Sequence, residues 1–198
     1  MISLLMVAAL AFHTAPQDQK SLWPTPFEER GRYGYQDGRG KVVIRPTFQL
    51  AREFSAEGLA AVVDDRGWAY IDSRGKVVIR PYVFDNGPDY FSQGLARFVL
   101  DGKFGFFNQR GTVVVKPAFD FAEPFRNGAA AVCAGCTMKS DGEHSVVAGG
   151  KWGFIDRTGR IIVPLACEAV TEFKNGKARV KRDGQWTYVD RSGRRVSR

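Results

Sequence analysis

The residues best suited to chemistry in this 198-residue chain are three cysteines and two histidines. Cys133 and Cys136 stand three apart, with His144 following and Cys167 further on. Together they would give the zinc pattern C-x2-C-x7-H-x22-C, which is not a spacing that structural zinc sites use. A thioredoxin-like dithiol would need its first thiol at a helix N-terminus, and no helical pattern follows Cys136. In an exported chain the expected state is a disulfide between Cys133 and Cys136, with Cys167 a buried small hydrophobe. Unpaired thiols are the alternative.

Catalytic patterns are scarce. The sequence contains no Gly-x-Ser-x-Gly and no His-Glu-x-x-His, and Gly149-Gly150-Lys151 runs into Trp152 without the Ser or Thr of a phosphate loop. Asp37, Asp72, Asp156 and Asp190 recur at equivalent positions and could supply paired carboxylates for glycosidase-like chemistry. A place in tight turns accounts for them fully. No catalysis, cofactor or metal is expected.

Cations form the other pattern. Arg39, Lys41 and Arg45 recur as Arg74, Lys76 and Arg80, then as Arg110 and Lys116, then as Arg157 and Arg160. If equivalent positions stack, these make a basic ridge able to concentrate a polyanion such as an anionic envelope polymer. Solvated turn tips whose charges keep strand edges from pairing are the plainer reading.

The elements that must position these residues come from a repeat. Five segments share one pattern: YGYQDGRGKVVI from Tyr33, WAYIDSRGKVVI from Trp68, FGFFNQRGTVVV from Phe104, WGFIDRTGRIIV from Trp152 and WTYVDRSGRRV from Trp186. Two aromatics separated by one small residue, then Asx-x-x-Gly and a β-branched run, describe a hairpin. The Asx side chain bonds the turn and Gly supplies positive φ. Pro46, Pro81, Pro117 and Pro164 follow the return strands and are expected to end them. A third strand recurs after each proline, entered through a Gly turn: FSAEGLAAV from Phe54, FSQGLARF from Phe91, FRNGAAAV from Phe125 and FKNGKARV from Phe173. The paired aromatics read as core rather than as carbohydrate platforms.

The fold class expected is all-β. It consists of tandem three-stranded hairpin or meander repeats of about 35 residues in an open or curved array, with a closed propeller-like array as the alternative. Met1 to Phe12 is an apolar run too short to span a bilayer, and it resembles a secretory leader although no Lys or Arg precedes it. The domain reading is a signal peptide over 1–15, a linker or cap over 16–26, and a repeat domain over 27–198 with a loop insertion at 133–150. No second stretch is long and apolar enough to cross a membrane.

The complete pattern, with KWGFIDRTG at Lys151 to Gly159 as its fullest instance, resembles the WG-repeat (WG β-repeat) family. Tyr33 and Phe104 replace the Trp of the pair, and Ala69 and Thr187 replace its Gly. The resemblance implies a β-repeat protein that mediates binding. The expected function is non-catalytic presentation of a surface to another macromolecule, foremost a protein, at the cell envelope, in the periplasm or outside the cell. The alternatives are a polyanion or glycan binder acting through the ridge, and a metal or redox protein acting through the insertion. Nucleic acid is not expected, because export would separate the chain from it and no nucleic-acid motif is present.

Overall fold

Hairpin follows hairpin along the described residues. The computed structural model describes residues 22–141 and 144–198, so the expected leader and most of the linker lie outside the described residues. Every regular element among these is an antiparallel strand. The first sheet joins β1 (Thr25–Glu29), β2 (Arg32–Gln36) and β3 (Val42–Phe48). The second joins β4 (Leu50–Ala51), β5 (Ala60–Asp64), β6 (Gly67–Ile71) and β7 (Val77–Ile79). A small hairpin of β8 (Val83–Phe84) and β9 (Gly87–Pro88) intervenes. The next sheet holds β10 (Leu95–Leu100), β11 (Lys103–Asn108) and β12 (Val113–Phe119). After it come β13 (Phe121–Ala122), β14 (Ala129–Asp141), β15 (His144–Asp156) and β16 (Ile161–Cys167). The last sheet is β17 (Ala169–Val170), β18 (Lys177–Arg182), β19 (Gln185–Asp190) and β20 (Arg195–Val196).

The Asx row builds the turns. Asp37 Oδ1 accepts the backbone N–H of Arg39 at 2.9 Å and of Lys41 at 3.0 Å, and the same pair of bonds recurs at Asp72, Asn108, Asp156 and Asp190. Each turn thereby satisfies donors that a tight loop would otherwise leave to water.

The small residue between the two aromatics decides how far the return strand runs. Between Tyr33↔Phe48 and Tyr35↔Ile44 the register slips, so that Arg45, Pro46 and Thr47 bulge across Gly34. A Cβ on Gly34 would stand 2.8 Å from Pro46 N, one on Gly105 2.9 Å from Pro117 N, and one on Gly153 2.9 Å from Leu165 N. These three units carry long return strands that continue through their prolines, β3, β12 and β16. The expectation that proline ends the ladder is therefore corrected. At a bulge the missing N–H costs no ladder bond, and proline is accommodated there. Where Ala69 stands instead, the return strand stops at Ile79, before Pro81.

Successive units meet through two repeated contacts. The second aromatic of a hairpin lies edge-on or tilted against the Phe of the next F-x-x-G: Tyr35 with Phe54 (5.0 Å between centroids), Tyr70 with Phe91 (5.8 Å), Phe106 with Phe125 (4.7 Å) and Phe154 with Phe173 (4.8 Å). Rings of this kind add about 0.5–1.5 kcal/mol each beyond the area they bury. The turn glycine of one hairpin rests on the return strand of the hairpin before it, Gly75 on Ile44, Gly111 on Val78, Gly159 on Val115 and Gly193 on Ile162. All four have positive φ as well, so glycine is required here for both conformation and space. The F-x-x-G turns are laced in register too: Ser92 Oγ donates to Phe125 O at 2.5 Å, and Asn127 Nδ2 to Phe173 O at 2.7 Å.

The array is open. Gly40, in the first turn, has no atom within 4 Å of its Cβ position. At the start Trp23 stacks on Phe54 (6.0 Å) and lies against Gly58, which caps the first joint. At the far end the β-branched triplet gives way to Arg194-Arg195-Val196-Ser197, a strand that presents charge instead of an apolar seat. Gly153→Ala should lower the urea midpoint by the equivalent of about 1–3 kcal/mol, because the methyl collides with backbone that cannot swing away. Ala69→Gly, made where the return strand has already departed, should cost about 1 kcal/mol or less.

Candidate binding groove

Two segments break the repeat, and they line one groove. The first is the β8–β9 finger, whose turn residues Asp85 and Asn86 have φ of 50° and 60°. The second is the insertion at 133–150, which is not a loop but the continuation of β14 and β15, paired from Ala129↔Asp156 out to Asp141↔His144. The pairing skips Gly135 and Gly150, both at positive φ, where the two strands kink together. Cys133 and Cys136 are joined as a disulfide across this kink, with Cα atoms 6.1 Å apart. Cys167 is a free, buried thiol in the core beneath β15. No cluster of three or more His, Cys, Asp or Glu side chains is placed to hold a metal among the described residues.

Between finger and extension lies a groove of about 1130 Å³. Phe84 and Tyr90 from the finger side, and Met138 and Val146 from the extension, leave 43–66% of their surfaces open. A second pocket of about 770 Å³ shares Glu123, Pro124, Arg126, Val147 and Trp152 with the first, so the two adjoin. Trp152 meets Phe121 edge-on at 6.1 Å, which fixes the indole in the floor.

A buried ion pair anchors the finger. Asp89 and Arg97 are 2% and 3% exposed. Arg97 Nη2 donates to Asp89 Oδ1 at 2.7 Å and Nε to Oδ2 at 3.0 Å, while Nη1 reaches Ala122 O at 2.9 Å. The guanidinium also lies 4.9 Å from the Tyr82 ring centre and 5.7 Å from that of Phe84. Every strong polar group here is answered, so the floor offers apolar contact. Position 97 is equivalent to Ala61 and Ala131 in neighbouring units and to the exposed Arg179 in the last, and it is the finger folded over Arg97 that buries its guanidinium.

The ten cations of the expected ridge lie elsewhere, and none lines the groove. Arg39, Lys41, Arg45, Arg74, Lys76, Arg110, Lys116 and Arg157 are exposed and form no ion pair among the described residues. Arg80 is engaged instead, its guanidinium bound to both oxygens of Asp64 at 2.6 and 3.0 Å, which holds that carboxyl below the usual carboxylate range. Arg160 bonds Asp156 at 3.0 Å. The Asp156 carboxyl is lowered to about 2, chiefly by the Thr158 hydroxyl at 2.6 Å, with the turn N–H groups and Arg160 outweighing together the opposing effect of burial. Asp190 is likewise lowered to about 2, with Ser192 first among the causes.

Stacked hairpins of this construction, interrupted by a small finger and by an extended hairpin beside a groove, define a tandem β-repeat protein. The chain belongs to the family described as WG containing repeat, which it matches over residues 33–68, 68–104, 104–135 and 152–186. The matched units leave out 136–151, the extension itself. No curated protein matches the chain. Among solved structures it is similar to one titled "Crystal structure of the eukaryotic initiation factor", at 11% identity and a TM-score of 0.38, covering 87% of this chain and 51% of that one. It is also similar to Kluyveromyces lactis Hsv2, at 14% identity and a TM-score of 0.33, covering 84% and 57%. The chain thus spans little more than half the length of these structures.

Because the folded carboxyls at Asp156 and Asp190 titrate below the ordinary value of 3.8, their stabilising contribution is complete above about pH 4 and is lost as pH falls toward about 2. Asn108 fills the same turn position without a charge, so Asp156→Asn should keep the fold at pH 7 and flatten the acid limb of melting temperature against pH. Asp89→Asn, which leaves a buried guanidinium half-answered, should cost about 3–5 kcal/mol by chemical denaturation.

Proposed function

We propose that this chain is a non-catalytic repeat protein, exported to the periplasm or the cell exterior, that binds another protein at the cell envelope through the groove between finger and extension. The observation that carries the reading is that the open apolar side chains of Phe84, Tyr90, Met138 and Val146 line a concave groove between the two segments that interrupt the repeat. Open apolar surface is costly to keep in water and is characteristic of binding sites. The regular units bury their second aromatics and F-x-x-G phenylalanines against one another, and the valines they leave half open, such as Val42, Val78 and Val113, ride on return strands and line no groove. They act as a rigid frame on which the two irregular segments are held.

A second reading rests on Arg39, Lys41, Arg74, Lys76 and Arg110, exposed cations on neighbouring turns that form no ion pair among the described residues. They would attract an anionic envelope polymer by ordinary electrostatics. Salt separates the two readings, since apolar docking barely responds to it while polyanion binding falls steeply. Co-sedimentation with crude envelope material should persist at about 0.5 M salt, where the Debye length is only a few ångströms. It should fall in Met138→Glu, a change at a half-exposed position that leaves the core alone. Binding lost at high salt and in a quadruple alanine variant of Arg39, Lys41, Arg74 and Lys76, yet untouched by Met138→Glu, would favour the ridge.

A further inference from the structure

The charge of the groove runs against that of the chain. The protein carries 29 Lys and Arg against 21 Asp and Glu, yet the groove lining carries Asp85, Asp89 and Glu123 against Arg97 and Arg126, and Arg126 is itself drawn to Glu172 at 3.6 Å. Asp89 and Arg97 neutralise each other in the floor. Asp85 at the finger tip and Glu123 between the two pockets form no ion pair among the described residues. Glu168 and Glu172 extend the acidic lining into the adjoining pocket, held by Lys181 at 3.7 Å and by Lys174 and Arg126 at 3.3 and 3.6 Å. A polyanion would be repelled from this lining, and a cationic side chain above it would find partners.

The walls point to a chain in extended form. Val83, Met138, Val146 and Val147 are aliphatic or thioether side chains facing the open rings of Phe84 and Tyr90, a mixed apolar lining suited to other apolar side chains. The Trp152 indole, turned edge-on to Phe121, is part of the floor and not a flat platform for a sugar. Among the described residues β14 pairs beyond Cys133 with β15 alone, so the stretch that carries Met138 keeps one backbone edge without a strand partner among them. Edges of this kind accept an added strand, with main-chain bonds giving affinity and alternate side chains giving choice.

We propose that the groove takes an extended segment of a partner protein in which apolar side chains alternate with lysine or arginine. The inference rests on the reading of the groove as a protein-binding surface. Alternation suits it because successive side chains of a strand face opposite ways, one set toward the Phe84–Met138 walls and the other toward Asp85 and Glu123.

The test uses the full chain and three fluorescein-labelled decapeptides in which leucine alternates with lysine, with glutamate or with serine. The lysine peptide should bind at least tenfold more tightly than the glutamate peptide. Asp85→Asn and Glu123→Gln should each weaken it by about twofold to fivefold, the range for an exposed charge pair. The double variant Asp85→Lys/Glu123→Lys, with both changes on exposed side chains, should reverse the preference. If all three peptides bind alike and Met138→Glu or Phe84→Ser abolishes binding, the cationic assignment is overturned while the groove stands. If none binds, or binding ignores Met138→Glu and Phe84→Ser in variants that keep the wild-type melting temperature, both the assignment and the groove are overturned.

Discussion

Each turn in this protein must lie flat on the return strand of the hairpin before it. Gly75, Gly111, Gly159 and Gly193 all sit at positive φ against an aliphatic side chain or a carbonyl of the preceding unit, and a side chain at any of them would lift the turn away. With the turn seated, the second aromatic of the earlier hairpin comes under the Phe of the next F-x-x-G, and the shared core closes around that ring pair. A hairpin alone is marginal in water, so stability here belongs to the joints between units more than to the units themselves.

The groove follows from what the joint cannot cover. Between the second and third hairpins the return strand ends early at Ile79, the chain turns out as the finger, and Arg97 is clamped beneath it by Asp89. One unit further on, β14 and β15 run past the point where β13 and β16 can accompany them. Two departures from the repeat, each tied down at its root by a satisfied polar or covalent link, leave apolar side chains facing each other across open space. The ridge cations have a different origin. They ride on turn tips whose geometry is set by the Asx side chains, and two of them are already spent on Asp64 and Asp156.

Much of this architecture was legible in the sequence because it is local. The Asx-x-x-Gly turns, the aromatic pairs and the F-x-x-G entries rest on interactions spanning a few residues, and five copies of the first two and four of the last make them unmistakable. The role of the small residue at 34, 105 and 153 was half legible: a close backbone approach could be expected, but the bulge that carries proline through the strand depends on cross-strand register, which no single segment encodes. The Asp89–Arg97 pair and the groove were not legible. They arise from the relative placement of two irregular segments from different units, and neither has a periodic pattern to announce it. The finger had a local sign in Asp85-Asn86-Gly87, a turn sequence between apolar neighbours.

The measurement that reaches the central claim most directly is native-state hydrogen exchange on Gly111→Val beside Gly40→Val. Both variants place a β-branched residue at positive φ, but only Gly111 is seated on a neighbouring unit. The account predicts that Gly40→Val loosens its own hairpin alone, whereas Gly111→Val lowers protection in its own hairpin and in Val77–Ile79 together. Loss of protection confined in both variants to the substituted hairpin would contradict it, because the turn would then be a local feature and not the joint that holds the array.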